Sequence, residues 1–186
     1  MKRTIIILIL LLIVIFASLV CFNFVLGHTR VPARYTDQNC HIEVDFSISS
    51  GKPRFFVFEH GRCVKKSLCA HGKGSGNTAS KPIFSNEIGS GCSSLGTFEI
   101  IGRSIMSNGY PCLVLRGLDS TNCNAYLRHI YVHPSRLVNY CKFGIYPLYL
   151  PLTDASFGCF AISTECFNTL DSLYTKYRNI RIYAFV

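Results

Sequence analysis

One long apolar run opens this chain, and short alternating runs succeed it almost to the end. Thr4 to Phe22 carries no charge, is dominated by Ile, Leu and Val, and comes after the cationic start Met1-Lys2-Arg3. Such a segment is either the core of a cleavable signal peptide, with Val25-Leu26-Gly27 as the cleavage site, or an uncleaved membrane anchor. Cys21 raises a third reading, a lipoprotein, but Ser18-Leu19-Val20 lacks the small residue that this processing needs just before the cysteine. All three export the rest of the chain, because positive charge holds the N-terminus in the cytoplasm. Residues 1–27 are therefore assigned as signal peptide or anchor, 28–41 as a charged, Pro-containing linker, and 42–186 as one folded domain.

Within that domain, Ile42, Val44, Phe46 and Ile48 alternate with polar neighbours, which predicts a strand with one buried face. Arg54 to Phe58 predicts a second strand, Gly61-Arg62 a turn, and Val64 to Ala70 its hairpin partner. His71 to Gly91 is rich in Gly, Ser and Asn and predicts a loop. Further strands are expected at Thr97 to Ile101, Cys112 to Leu115, Arg128 to His133 and Ile180 to Val186. Asn122 to Leu127 suits a short helix. A longer one begins at Ser163-Thr164, either of which can cap it, and carries Phe167, Leu170, Leu173, Tyr174 and Tyr177 at helical spacing. Many short strands and few short helices place the chain in the mainly β class, as one sandwich or barrel.

Charge narrows the partners. Lysine and arginine exceed the acids by 19 − 10 = +9, of which Lys2 and Arg3 belong to the leader. A basic body suits an anionic polymer or surface: nucleic acid, lipid or cell wall. The basic residues are scattered apart from Lys65-Lys66, so a nucleic-acid groove is not expected. Membrane contact is expected only through the N-terminal segment.

Ten cysteines invite two kinds of chemistry. Setting aside Cys21 and Cys159, eight remain, an even number that permits disulfides in an exported domain, although buried free thiols fit equally well. No C-x2-C pair occurs. His129 and His133, if on one strand, lie about 13 Å apart, too far to share a metal. Neither a metal nor any other cofactor is expected.

The segment Ser156-Phe157-Gly158-Cys159 is the sharpest candidate for catalysis. Glycine permits a tight turn in which the N–H groups of Gly158 and Cys159 converge on an oxyanion. A histidine that takes the thiol's proton or lowers its pKa makes it a nucleophile. His133, at the exit of an apolar strand, is the best placed, ahead of His60, His71 and His129. On this reading Cys159 is the cysteine most open to alkylation. Arg116 and Arg128 can grip a substrate carboxylate or pair with Asp119. His71-Gly72-Lys73-Gly74-Ser75-Gly76 lacks phosphate-loop spacing and reads as a turn, with His71 near the pocket.

Taken in order, these pieces form a wider pattern. It runs through Cys69 to Gly76, Phe84-Ser85-Asn86, Ser93-Ser94-Leu95-Gly96-Thr97-Phe98 and Leu115-Arg116-Gly117-Leu118-Asp119. It continues through Asn122, Ala125, Arg128 and Ile130-Tyr131-Val132-His133 to the Ser156–Cys159 turn. The series resembles the murein L,D-transpeptidase catalytic-domain family, of YkuD-like fold, over about residues 42 to 186. The resemblance implies a β-rich, extracytoplasmic cell-envelope enzyme acting on peptidoglycan stem peptides. Cys159 would form a thioester with release of D-alanine, then pass the acyl group to an amine or to water. His133 would be the base, with Ser156 and Gly158 shaping the cysteine turn. The chain departs from the family pattern in three places: Pro134 stands where glycine usually follows the base, Phe160 where proline follows the cysteine, and Asp154-Ala155 where Gly-Arg often precedes the serine. These departures motivate an alternative, an inactive peptidoglycan-binding relative. A papain-like order is disfavoured, since there the cysteine precedes the histidine.

Overall fold

A computed structural model describes residues 7–16, 18, 33–35, 38–79, 81–140 and 156–186. It divides into two units, Met1–Val31 and Pro32–Val186. The described part of the first is a helix, α1, over residues 7–16, with its side chains exposed. Among the described residues no helix is long and apolar enough to cross a membrane. The expected cleavage site and Cys21 lie outside the described residues, as do Cys141 and Asp154-Ala155.

The second unit is built on one eight-stranded sheet. Its strands are β1 (Cys40–Asp45), β2 (Phe55–Glu59), β3 (Arg62–Ser67), β4 (Gly96–Ile105), β5 (Pro111–Gly117), β6 (Tyr131–Pro134), β7 (Phe160–Ile162) and β8 (Arg181–Phe185). Their order is β3-β2-β1-β8-β4-β5-β6-β7. β1 runs parallel to β8 and β6 parallel to β7, while the other pairs are antiparallel. Just past β3, Ala70 bridges Ala161 of β7, and the Ser163 N–H donates to Ser67 Oγ at 3.0 Å. The two edges of the sheet thus meet, which curls it towards a barrel and covers edges that would otherwise invite pairing. Mainly β architecture with few helices agrees with the expectation from sequence.

Residues that alternate along the strands meet inside the curl. Ile42, Val44, Val57, Phe98, Leu113 and Ile182 belong to one continuous core. β1 differs from the half-buried strand expected: His41 and Glu43 are buried as well. Residues 33–35 cover that face. Glu43 Oε1 accepts the backbone N–H groups of Arg34 and Tyr35 at 2.6 and 2.9 Å, and Tyr35 stacks on Tyr183 at 3.8 Å. The strand also starts at Cys40, inside the stretch read as linker.

Among the described residues, the second unit also holds two α-helices, α2 (Arg136–Tyr140) and α3 (Thr164–Tyr177). Ser163 caps α3 by accepting the Cys166 N–H, and Phe167, Leu170 and Tyr174 face the core. The short helix expected at Asn122 to Leu127 is absent; the segment is a run of turns. Side chains explain it. Buried Asn122 donates to the Thr97 carbonyl and accepts the Asp119 N–H, while Asn86 Oδ1 accepts the Asn124 N–H. Asparagine side chains that bind backbone in this way compete with helical bonding.

Candidate active site

Strand pairing brings the cysteine turn to the base's strand. β6 and β7 are in parallel register, with Val132 opposite Phe160 and His133 opposite Ala161. Cys159 directly precedes β7, so it lies beside Tyr131. The Tyr131 N–H donates to Cys159 Sγ at 3.4 Å, and the thiol donates to the His129 carbonyl at 3.4 Å. Cys159 is 7% exposed and His133 6%. The expected β6 is shorter at its start, because His129 sits at φ 55° and ends the preceding turns.

Glycine is obligatory in the turn. Gly158 has φ 114°, and a Cβ there would lie 2.5 Å from the Cys92 carbonyl oxygen. Ser156 Oγ donates to the Cys159 carbonyl at 2.8 Å and accepts the Gly158 N–H at 3.3 Å. Ser156 therefore braces the turn from within. Contrary to expectation, the Gly158 N–H is occupied by that serine. The Cys159 N–H, beside its own sulfur, is the turn's other donor.

His133 Nδ1 lies 3.0 Å from the Pro134 carbonyl. A carbonyl can only accept, so Nδ1 carries the proton and Nε2 keeps its lone pair in the neutral ring. Burial pushes the His133 pKa down from the ordinary 6.5, against the pull of the Pro134 carbonyl. Burial pushes the Cys159 thiol up to about 11, partly offset by the Tyr131 N–H and by the Arg128 guanidinium. Both shifts disfavour charge, so thiol and imidazole rest neutral near pH 7 rather than as an ion pair. Burial and the raised thiol pKa argue against Cys159 alkylating first. Among the eight described cysteines, all free thiols, Cys123 is the exposed one.

The other predicted residues have different places. Arg128 Nη1 donates to the Ser85 carbonyl at 2.8 Å and to Ser94 Oγ at 2.5 Å; Nη2 donates to Ser90 Oγ at 3.3 Å and to the Cys92 carbonyl at 2.5 Å. It thus ties the loop before β4 to the turn, with its guanidinium against Gly158. Arg116 pairs across the β4–β5 ladder with Glu99 at 2.5 Å, not with Asp119, and stands on the surface. His71 is fully buried, contrary to a role in binding substrate. Its Nδ1 accepts from Arg54 Nη2 at 2.9 Å and its Nε2 donates to the Gly76 carbonyl at 3.1 Å. The glycine-rich segment nonetheless forms a wall of the site. The Lys73 N–H donates to the Ser156 carbonyl at 2.9 Å, and a Cβ on Gly72 would lie 2.7 Å from the Gly158 nitrogen. Arg54, Tyr131 and the His129 carbonyl were not singled out from sequence. Tyr131 alone had a signal, two places before His133 and hence on the same face of its strand.

No curated protein matches this chain. A solved structure of an L,D-transpeptidase from Xylanimonas cellulosilytica is similar, at 17% identity and a TM-score of 0.49 over 84% of this chain; the match spans 65% of that chain. The family match is broader in what it covers, taking in residues 25–183 with the strand that bears His133 and the turn that bears Cys159. This chain belongs to the L,D-transpeptidase catalytic domain family.

Proposed function

We propose that the protein is an exported cysteine acyltransferase that acts on peptidoglycan stem peptides from the outer side of the membrane. The observation that carries this reading is the β6–β7 register, which sets the Cys159 sulfur against the backbone of the strand bearing His133. Because both groups rest neutral, the proton leaves sulfur as the carbon–sulfur bond forms. The Cys159 S–H bond breaks, His133 Nε2 takes the proton, and sulfur adds to the stem carbonyl. The Cys159 N–H holds the oxyanion. Collapse breaks the carbon–nitrogen bond, His133 returns the proton to the departing D-alanine amine, and a thioester remains. A neighbouring stem's amine then gives His133 a proton, attacks the thioester and expels the Cys159 thiolate, which His133 reprotonates. This forms an L,D cross-link. Water in place of the amine gives the carboxypeptidase outcome.

Whole-protein mass spectrometry with a tetrapeptide stem, or with a carbapenem, tests the reading. A covalent adduct is expected on the wild type and none on Cys159→Ala. An adduct that persists in Cys159→Ala rejects the nucleophile. A wild type that gains no mass with either ligand favours the inactive peptidoglycan-binding alternative, to which the burial of Cys159 also points.

A further inference from the structure

Among the described residues, three non-glycine positions have positive φ, and one of them touches the thiol. His129, at φ 55°, turns its carbonyl towards Cys159 Sγ at 3.4 Å. The peptide planes on either side are pinned. The His129 N–H donates to the Tyr126 carbonyl at 3.1 Å, and the Ile130 N–H to the Ala125 carbonyl at 2.9 Å. The imidazole is exposed and contacts the Tyr131 hydroxyl at 3.1 Å, helping to hold the left-handed residue against β6. Sulfur is therefore clamped between a donor, the Tyr131 N–H, and an acceptor, the His129 carbonyl, rather than bonded to His133.

We propose that His129 is a positioning residue for the nucleophile, whose left-handed backbone aims a carbonyl that holds the Cys159 thiol protonated and parked until substrate arrives. The proposal rests on Cys159 being the nucleophile. A carbonyl acceptor stabilises S–H and repels the thiolate, whereas the Tyr131 N–H does the reverse. The other titratable groups around the sulfur are the Arg128 guanidinium, which favours the thiolate, the Cys112 thiol, which opposes it, the Tyr131 phenol and the neutral His133 ring. Substitutions at His129 keep these four side chains but remove the imidazole and its Tyr131 contact, so a change seen with Val and not with Asn reports on the carbonyl. The device keeps the sulfur unreactive towards stray electrophiles and makes deprotonation depend on a bound acyl group that draws the thiol to His133.

The test is the pH–rate profile of Cys159 alkylation by iodoacetamide, read by peptide mapping in a Cys123→Ser background. Asparagine tolerates left-handed backbone, whereas a β-branched residue strongly resists it. His129→Asn is expected to keep the parent profile. His129→Val is expected to shift the profile to lower pH and to speed alkylation at neutral pH roughly fivefold to tenfold, the size of one hydrogen bond. If His129→Val does not fold, His129→Ala is judged by the same criteria. Continued protection of buried Cys69 and Cys166 separates a local effect from general loosening. A folded Val or Ala variant with the parent profile overturns the proposal. So does an Asn variant that shifts as Val does, since that assigns the effect to the imidazole. Acylation of the parent by a tetrapeptide stem is scored separately: its absence rejects the nucleophile, and the alkylation profile alone judges the carbonyl.

Discussion

Gly158 and Ser156 show how narrowly single residues constrain the site. Gly158→Ala forces a Cβ towards the Cys92 carbonyl at a φ that alanine resists, so the turn must shift. We expect acylation to fall by at least about a hundredfold, since a misplacement of about 1 Å can cost that much. Single-turnover mass spectrometry measures it, and parent-like acylation would show that the turn's position does not matter. Ser156→Ala leaves the Gly158 N–H and the Cys159 carbonyl without the hydroxyl that links them. Its expected cost is milder, roughly tenfold to a hundredfold, because the serine orients and does not react. Thiol reactivity should follow exposure: limited alkylation of the native chain should label Cys123 before Cys159. Fast, selective labelling of Cys159 would contradict the buried, neutral resting state.

At the scale of elements, α3 and the Arg54–His71 pair frame the site without entering it. Ser163 caps α3 and comes directly after β7, so it joins the site strand to the core helix. Ser163→Ala should cost about 1 kcal/mol, as for other N-caps. Chemical denaturation should read this as a lower midpoint at unchanged slope, and no change would mean that water replaces the cap. Arg54 donates to the Cys69 carbonyl at 2.8 Å and to the Ile48 carbonyl at 3.2 Å as well as to His71, and its side chain is fully buried. A buried cation held by three acceptors locks the start of the glycine-rich wall. Truncating it would leave those neutral acceptors unpaired, at about 1–3 kcal/mol for each that stays buried without a partner.

For the molecule as a whole, buried neutral histidines make stability depend on pH. His71 and His133 both have pKa values pushed below 6.5, in each case first by burial and for His71 next by Arg54. Below an unfolded-state pKa of about 6.5 the unfolded chain binds protons that the folded chain refuses. Their contribution is therefore complete above that pH and is lost as pH falls from there through the lower folded values. Urea denaturation from pH 8 to pH 5 should show stability declining towards acid, and His71→Gln should flatten that decline. A variant with an undiminished slope would remove His71 from the account. Separately, a chain lacking residues 1–27 is expected to unfold cooperatively, because the core lies wholly in the unit Pro32–Val186.

Much of this was legible in the order of residues. Alternation located β1, whose side chains have period two, and apolar runs located most of the other strands, though not β7. The α3 cap and its apolar face came from helical spacing, and the Gly158-Cys159 turn from glycine's freedom at positive φ. What the chain alone could not reveal is which groups end up dry and what they meet there. His71 and His133 look alike as letters, yet one is locked between Arg54 and Gly76 while the other is held through Nδ1 by the Pro134 carbonyl, on the strand beside the cysteine turn. Arg116 and Arg128 look equally suited to a carboxylate, yet cross-strand register gives one to Glu99 and the other to the carbonyls around Gly158. Burial raises the pKa of the thiol, and its hydrogen bond goes to a carbonyl thirty residues away in sequence. Local pattern determined the elements because it acts within a few residues, whereas the state of the site was decided by desolvation and hydrogen bonding that exist only once the strands have closed around it.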